Sequence, residues 1–239
     1  MTYYDADLAW VHHAGYAGYV ENAGAGIVRL LLESGLRPGA VVLDVGCGSG
    51  LLARRLLTAG FAVHGIDASP AMIELARTQA PAARFDVMAL PAGVLPTADA
   101  VVSTGHVLNY LDTRADIARA LGELAQAVRA GGLLAIDLMT ERFAAARDLS
   151  APHAKVEDDW AIITRFARPA PHRFDRTITV FRRVDGTWRR SDEQHRNMTF
   201  EPAHALRILR ENGIDAQEHA AFGTEKLPEG LIVLAGARR

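Results

Sequence analysis

Asp44, Gly46, Gly48 and Gly50 stand at alternate positions in VVLDVGCGSG (residues 41–50), with Cys47 among them. An apolar run leading into three closely spaced glycines implies a backbone that wraps tightly around a ligand, with a carboxylate at the lip. A nicotinamide or flavin dinucleotide would need G-x-G-x-x-G/A, its pyrophosphate resting on a helix N-terminus. Here the third glycine falls one residue early and Leu51 follows it. A carboxylate beside a pyrophosphate is also repulsive, by about a kcal/mol or more in a partly dry cleft. A cationic ligand reverses that sign. S-adenosylmethionine carries an ammonium and a sulfonium and no phosphate, and Asp67, 23 residues after Asp44, can accept both of its ribose hydroxyls.

The elements that hold these residues follow from the pattern around them. Residues 5–35 read as one or two helices broken near Gly15 and Gly18. Val41–Val45 is a short apolar run of the kind found in buried parallel strands. Leu51–Ala59 reads as a helix and Phe61–Ile66 as a second strand ending at Asp67. Ser69 caps a further helix with Pro70 in its first turn. Short strands are expected at Phe85–Val87 and Ala100–Ser103. A helix carrying Ile117, Leu121, Leu124 and Val128 ends at Gly131-Gly132, and a strand follows over Leu133–Leu138. This alternation predicts an α/β fold with a doubly wound parallel sheet. Beyond about residue 150 the pattern changes to long alternating runs, with Asp185-Gly186 as a hairpin turn, which predicts an inserted antiparallel β cap. A helix over Pro202–Asn212 and a strand over Leu231–Ala235 complete the sheet. The division is an N-terminal lid (1–37), a core (38–150 and 200–239) and a cap (151–199), within a single domain.

VLDVGCGSG, GIDASPAMIELAR, ADAVVSTGHVLNYL and the Gly131-Gly132 turn before LLAIDL together closely resemble the class I S-adenosylmethionine-dependent methyltransferases, over about residues 40–140 and again at the last strand. The resemblance implies a mostly parallel, seven-stranded, Rossmann-like sheet and S-adenosylmethionine as cofactor. Gly46, Cys47, Gly48 and Gly50, with Asp44, would surround its methionine part, and Asp67 its ribose. Ala68 and Met72 would face the adenine, joined by Met88 and Ala89, although the usual G-D pattern is absent there. Thr104 and Gly105 lead to His106 at the end of the fourth strand, similar to the S-x-G-H segment of small-molecule N-methyltransferases that act on amino sugars. That similarity implies that His106 is in the active site. The competing reading is a strand-end histidine satisfied by backbone. In relatives the N-terminal segment closes over the cofactor. Of Tyr3, Tyr4, His12, His13, Tyr16 and Tyr19, the residues His13 and Tyr16 lead as candidates there, because an aromatic ring over a sulfonium gains ~0.5–2 kcal/mol.

His195 shares a pleat face with Glu193 and Asn197 and would meet the acceptor if that face looks into the cleft. Cys47 has no partner marking it as a nucleophile. Nine arginines between Arg165 and Arg196 make the insert basic. They read as a solvated face or, alternatively, as a clamp for a carboxylate or phosphate on the acceptor. No C-x-x-C, H-E-x-x-H or acidic cluster suggests a metal. One cysteine excludes intrachain disulfides and favours a reducing compartment, and no apolar run reaches the length of a membrane span, so a cytoplasmic protein is expected. A net charge of −2 gives no reason to bind nucleic acid or an anionic membrane. The expected activity is methyl transfer to a nitrogen or oxygen of a small-molecule acceptor. The alternatives are a cofactor-binding protein that transfers no methyl and, behind it, a nicotinamide oxidoreductase. A homodimer is one assembly the chain allows.

Overall fold

The computed structural model describes residues 3–239. Strands β1 (Val41–Val45), β2 (Ala62–Asp67), β3 (Arg84–Val87), β4 (Ala98–Ser103) and β5 (Val128–Met139) run parallel. β11 (Leu231–Arg238) lies antiparallel to β5, and β10 (Ile214–His219) antiparallel to β11. The seven strands take the order β10-β11-β5-β4-β1-β2-β3. Because side chains alternate across a strand, β1 sends Val42 to one core and Leu43 and Val45 to the other. Helices α1 (Ala6–Glu33), α2 (Leu51–Thr58) and α3 (Pro70–Gln79) bury Ile27, Leu31, Leu52, Leu56 and Ile73 on the first face. Helices α4 (Arg114–Ala127) and α6 (Pro202–Glu211) bury Ile117, Leu121, Leu124 and Leu209 on the second. The Ser69 hydroxyl accepts the Met72 N–H at 3.2 Å and caps α3, as the S-P pair predicts.

A second sheet, β6 (His153–Val156), β7 (Trp160–Ala167), β8 (Arg173–Val184) and β9 (Thr187–Met198), is antiparallel throughout. The short helix α5 (Glu141–Ala145) precedes it. Helix α1 joins the two sheets. Its first half packs Leu8 and Val11 against Trp160, Ile162, Ile178 and Val180 of the second sheet, while its second half belongs to the core. The expected break between Gly15 and Gly18 is a kink at Tyr16 (φ −126°, ψ 15°) inside one helix, at the changeover between these two surfaces.

β5 starts five residues earlier than the sequence suggests. The Gly131-Gly132 pair does not stop α4, which ends at Ala127, but forms a bulge within the strand. The pairing jumps from Ala98–Val128 to Ala100–Leu133, and Gly131 takes a φ of 75° to absorb the extra residues. β6 and β10 escape sequence reading because β6 is exposed on all four residues and β10 buries only Ile214.

Candidate functional site

A cavity of about 680 Å³ lies at the C-terminal ends of β1, β2 and β4, roofed by α1 and walled by the second sheet. Gly46 makes the tight turn off β1. Its φ is 68°, and a Cβ there would come within 2.3 Å of Val107 Cγ2, so only glycine lets the loop approach the β4 turn. Asp44 is buried at 1% exposure, and its Oδ2 has no hydrogen-bond partner. Burial, then the nearby charge of Asp67, pushes its carboxyl up to about 7. Asp67 accepts the Ser69 N–H on Oδ1 (2.8 Å) and the Gly48 N–H on Oδ2 (2.9 Å). Burial pushes its carboxyl up, and these N–H groups oppose that. Each oxygen keeps a lone pair for a ligand hydroxyl. The Gly48 amide, which a dinucleotide would need for its pyrophosphate, is thus already held by a carboxylate. Burial also pushes the Cys47 thiol up, which keeps it protonated and inert.

Beyond β4 the chain turns through Thr104, Gly105 and His106, and His106 sits in the left-handed region (φ 49°, ψ 44°), strained for a residue with a side chain. Asp137 of β5 stabilises this turn. It accepts the Gly105 N–H (2.8 Å), the His106 N–H (2.7 Å) and the Tyr19 hydroxyl (2.6 Å). Burial nevertheless pushes its carboxyl up to about 6. The buried Asn109 ties the same turn to both sheets, donating Nδ2 to the carbonyls of Met139 (3.0 Å) and Met198 (2.6 Å). The His106 ring stacks on Tyr110 with centroids 5.7 Å apart, and its buried Nδ1 has no partner. Burial, followed by the Arg176 guanidinium, lowers its ionisation to about 3, so the imidazole is neutral at physiological pH.

Of the sequence-predicted residues, Asp44, Gly46, Cys47, Asp67, Ala68, Met72, Met88, Ala89, Thr104, Gly105, His106 and Tyr16 line this one cavity. Four do not. Gly48 touches it only through the Asp67 contact, and Gly50 (φ 80°) is the N-cap of α2 packed on Ala76. His13 turns to Ser49, with Nδ1 2.9 Å from its hydroxyl, while its neighbour His12 takes the place above the cavity. His12, Tyr16 and Tyr19 recur at helical spacing on the roof face of α1, and the His12 and Tyr16 rings stack at 5.5 Å. His195 is fully buried beneath Tyr3, Tyr4 and Tyr110, with ring centroids 4.7, 4.9 and 5.6 Å away. Its Nε2 lies 2.8 Å from Glu193, whose carboxylate also accepts the Tyr4 N–H (2.8 Å) and the Asp5 N–H (2.9 Å). His195 therefore stands one layer behind the wall and fastens the start of α1 to β9. Sequence reading passed over Asp137, although an acid inside the apolar run LLAIDL was a usable signal, since a buried charge demands partners.

Residues 42–132 match a family model described as a methyltransferase domain. The ubiquinone biosynthesis O-methyltransferase of Paramagnetospirillum magneticum is 32% identical over 181 residues, 67% of this chain and 71% of that one. The chain belongs to the class I S-adenosylmethionine-dependent methyltransferases. It spans 47% of the length of the ribosomal protein L11 methyltransferase of Cupriavidus necator, to which it is 36% identical over 151 residues. The sugar N-methyltransferase KedS8 from Streptoalloteichus sp. shares the fold, with a TM-score of 0.79 at 22% identity, covering 100% of this methyltransferase and 96% of that chain. Among the described residues, no helix is long and apolar enough to cross a membrane and no cluster of side chains could hold a metal ion.

Proposed function

We propose that this methyltransferase acts on a nitrogen or oxygen of a small molecule held between the β4 turn, the α1 roof and the second sheet. The observation that carries the cofactor side is Asp44 Oδ2, a buried acceptor without a partner at the edge of the glycine loop. An ammonium satisfies that atom and a phosphate does not, which fits S-adenosylmethionine. Asp67 would hold the ribose hydroxyls, and Met72, Met88 and Ala89 the adenine. S-adenosylmethionine supplies, when bound, a methyl group on a cationic sulfur that an acceptor lone pair displaces in line. The work left to the chain is to align the acceptor and exclude water, and the α1 roof with its His12, Tyr16 and Tyr19 rings serves both ends. His106 contributes an acceptor for the N–H or O–H of the incoming nucleophile, because its imidazole is neutral and its Nδ1 is unpartnered. A cleft of this size, roofed by α1, suits a small metabolite more than a macromolecule.

Incubation with labelled S-adenosylmethionine and a metabolite extract should yield a product larger by one methylene unit in mass spectrometry. Intact cofactor and no product would favour a protein that binds without transferring. With a turned-over acceptor in hand, His106→Ala is expected to lower kcat by on the order of 10²-fold while S-adenosylhomocysteine affinity holds within about threefold. Unchanged turnover would remove His106 from the chemistry.

A further inference from the structure

Past the glycine loop the acidic rim gives way to cations. Arg176 of β8 and Arg147, just after α5, both line the cavity. Arg176 lies over the Tyr110 ring, 5.2 Å from its centroid, donates Nη2 to the Tyr110 hydroxyl and donates Nε to Asn197 Oδ1 at 3.2 Å. Its Nη1 has no hydrogen-bond partner among the described residues. Arg147 rests 4.0 Å from the centroid of Phe143 and makes no hydrogen bond among them. Elsewhere in the insert, Arg168, Arg173, Arg182, Arg183, Arg189 and Arg190 each have a carboxylate partner, while Arg165 and Arg196 have none among the described residues but do not line this cavity. Among the described residues, no carboxylate comes within 4 Å of Arg147 or Arg176. Asp112 and Asp116 line the same cavity without pairing to either. Burial, then the charge of Arg176, lowers the ionisation of Arg147, whereas Tyr110, Tyr4 and Tyr3 hold that of Arg176 up against burial. Two such cations facing one aromatic-walled space repel each other unless an anion sits between them.

We propose that the methyl acceptor carries an oxyanion, a carboxylate or a phosphate ester, seated between Arg176 and Arg147 with its nucleophile beside His106. This inference rests on the methyltransferase reading of the same cavity. A guanidinium presents paired N–H donors that match two oxygens of such a group, and the Tyr110 and Asn197 contacts hold Arg176 in a fixed plane for it. A consequence reaches the β4 turn. The charged and titratable groups around His106 are Arg176, Arg147, His12 and Tyr110, with Asp137 bound to its backbone N–H. Both arginines oppose protonation of the imidazole, so an anion that neutralises them makes His106 a better base just when the acceptor is in place. A neutral amine or alcohol lacks that effect and is selected against.

The test uses the whole protein saturated with S-adenosylhomocysteine and three probes of similar shape: benzoate, phenyl phosphate and benzyl alcohol, titrated calorimetrically. The better anion should bind at least tenfold more tightly than the alcohol, and whichever anion wins assigns the acceptor group as carboxylate or phosphate. Arg147→Met and Arg176→Met should each weaken the anion at least tenfold and leave the alcohol unchanged. Arg176→Lys, which keeps the charge and loses the paired donors, should fall between them and serves if the methionine variant does not fold. In NMR spectra the His106 ring should titrate at higher pH with the anion bound. An alcohol that matches both anions, or an Arg147→Met protein with wild-type anion affinity, overturns the proposal. Failure of S-adenosylhomocysteine itself to bind would instead overturn the methyltransferase reading, so the two failures are separable.

Discussion

Asp44 shows how one buried side chain can make cofactor binding depend on pH. Burial and the Asp67 charge hold its carboxyl up to about 7, so near pH 6.5 a large share of the chain carries a proton there. A ligand ammonium favours the ionised form. Binding of S-adenosylhomocysteine should therefore release a proton at pH 6.5, and its affinity should climb between about pH 6 and pH 8. Calorimetry in two buffers of different ionisation heat measures the proton directly. Asp44→Asn should abolish both the release and the slope, and a wild-type protein that releases no proton would place the ammonium elsewhere. Asp67 acts differently, because its oxygens already bind the Gly48 and Ser69 N–H groups. Asp67→Ala is expected to weaken S-adenosylhomocysteine by ~1–3 kcal/mol, roughly 5- to 150-fold, through lost charged hydrogen bonds. Equal affinity in that variant would remove Asp67 from the ribose.

At the level of elements, the parallel sheet and its cofactor edge were legible because both depend on local signals. Apolar runs, the Ser69-Pro70 cap and glycines at forced turns mark them residue by residue. The acceptor side was far less so. Arg147, Arg176, Tyr110 and His12 line one cavity from the segment after α5, β8, the turn after β4 and α1, and no spacing in the chain encodes that meeting. His195 shows the converse: its strand periodicity was right, yet the face it shares with Glu193 is sealed by tyrosines from α1's approach and the β4 turn. Gly15 and Gly18 read alike in the sequence, as two breaks in one helix, and the structure separates them. An exposed helical glycine replaced by alanine usually gains about 0.5–1 kcal/mol. At Gly18 nothing lies within 4 Å of the added Cβ, so Gly18→Ala should stabilise by that amount. At Gly15 the Cβ would come within 2.5 Å of the buried Trp160 ring, and crowding of that kind costs about 1–3 kcal/mol. Gly15→Ala should therefore be net destabilising. Urea unfolding of the two variants gives opposite signs if α1 lies on the second sheet as described, and equal gains if it does not.

For the whole molecule, two sets of buried groups pull stability in opposite directions with pH. His12, His13, His106 and His195 are all pushed down by burial, His12 to about 4 and His106 to about 3. The unfolded chain binds more protons at these sites up to their ordinary value of about 6.5, so stability rises with pH through that window. Asp44, Asp67 and Asp137 are pushed up, Asp44 to about 7 and Asp137 to about 6. Their folded forms hold protons that the unfolded chain has released by about pH 4–5. Their contribution is thus present below about pH 4 and lost as pH rises through 6 to 7. Surface acids such as Asp86, Asp99 and Asp192 are pushed down and act only in the acid range. The two slopes offset each other only in part, because four histidines outnumber the raised acids and, in the unfolded chain, go on releasing protons to about pH 7.5 while Asp44 titrates against them. Stability should therefore climb along a lower limb to about pH 7 and level off along an upper limb to pH 8. Asn at position 44 removes the opposing slope and should steepen the upper limb, whereas His12→Phe should flatten the lower one. Saturating S-adenosylhomocysteine should likewise steepen the upper limb, since its ammonium stabilises the ionised Asp44. Urea unfolding at pH 5, 6.5 and 8, with and without that ligand, measures each limb. A decline from pH 6.5 to 8 without ligand would mean that Asp44 outweighs the four buried histidines, the reverse of the balance expected here.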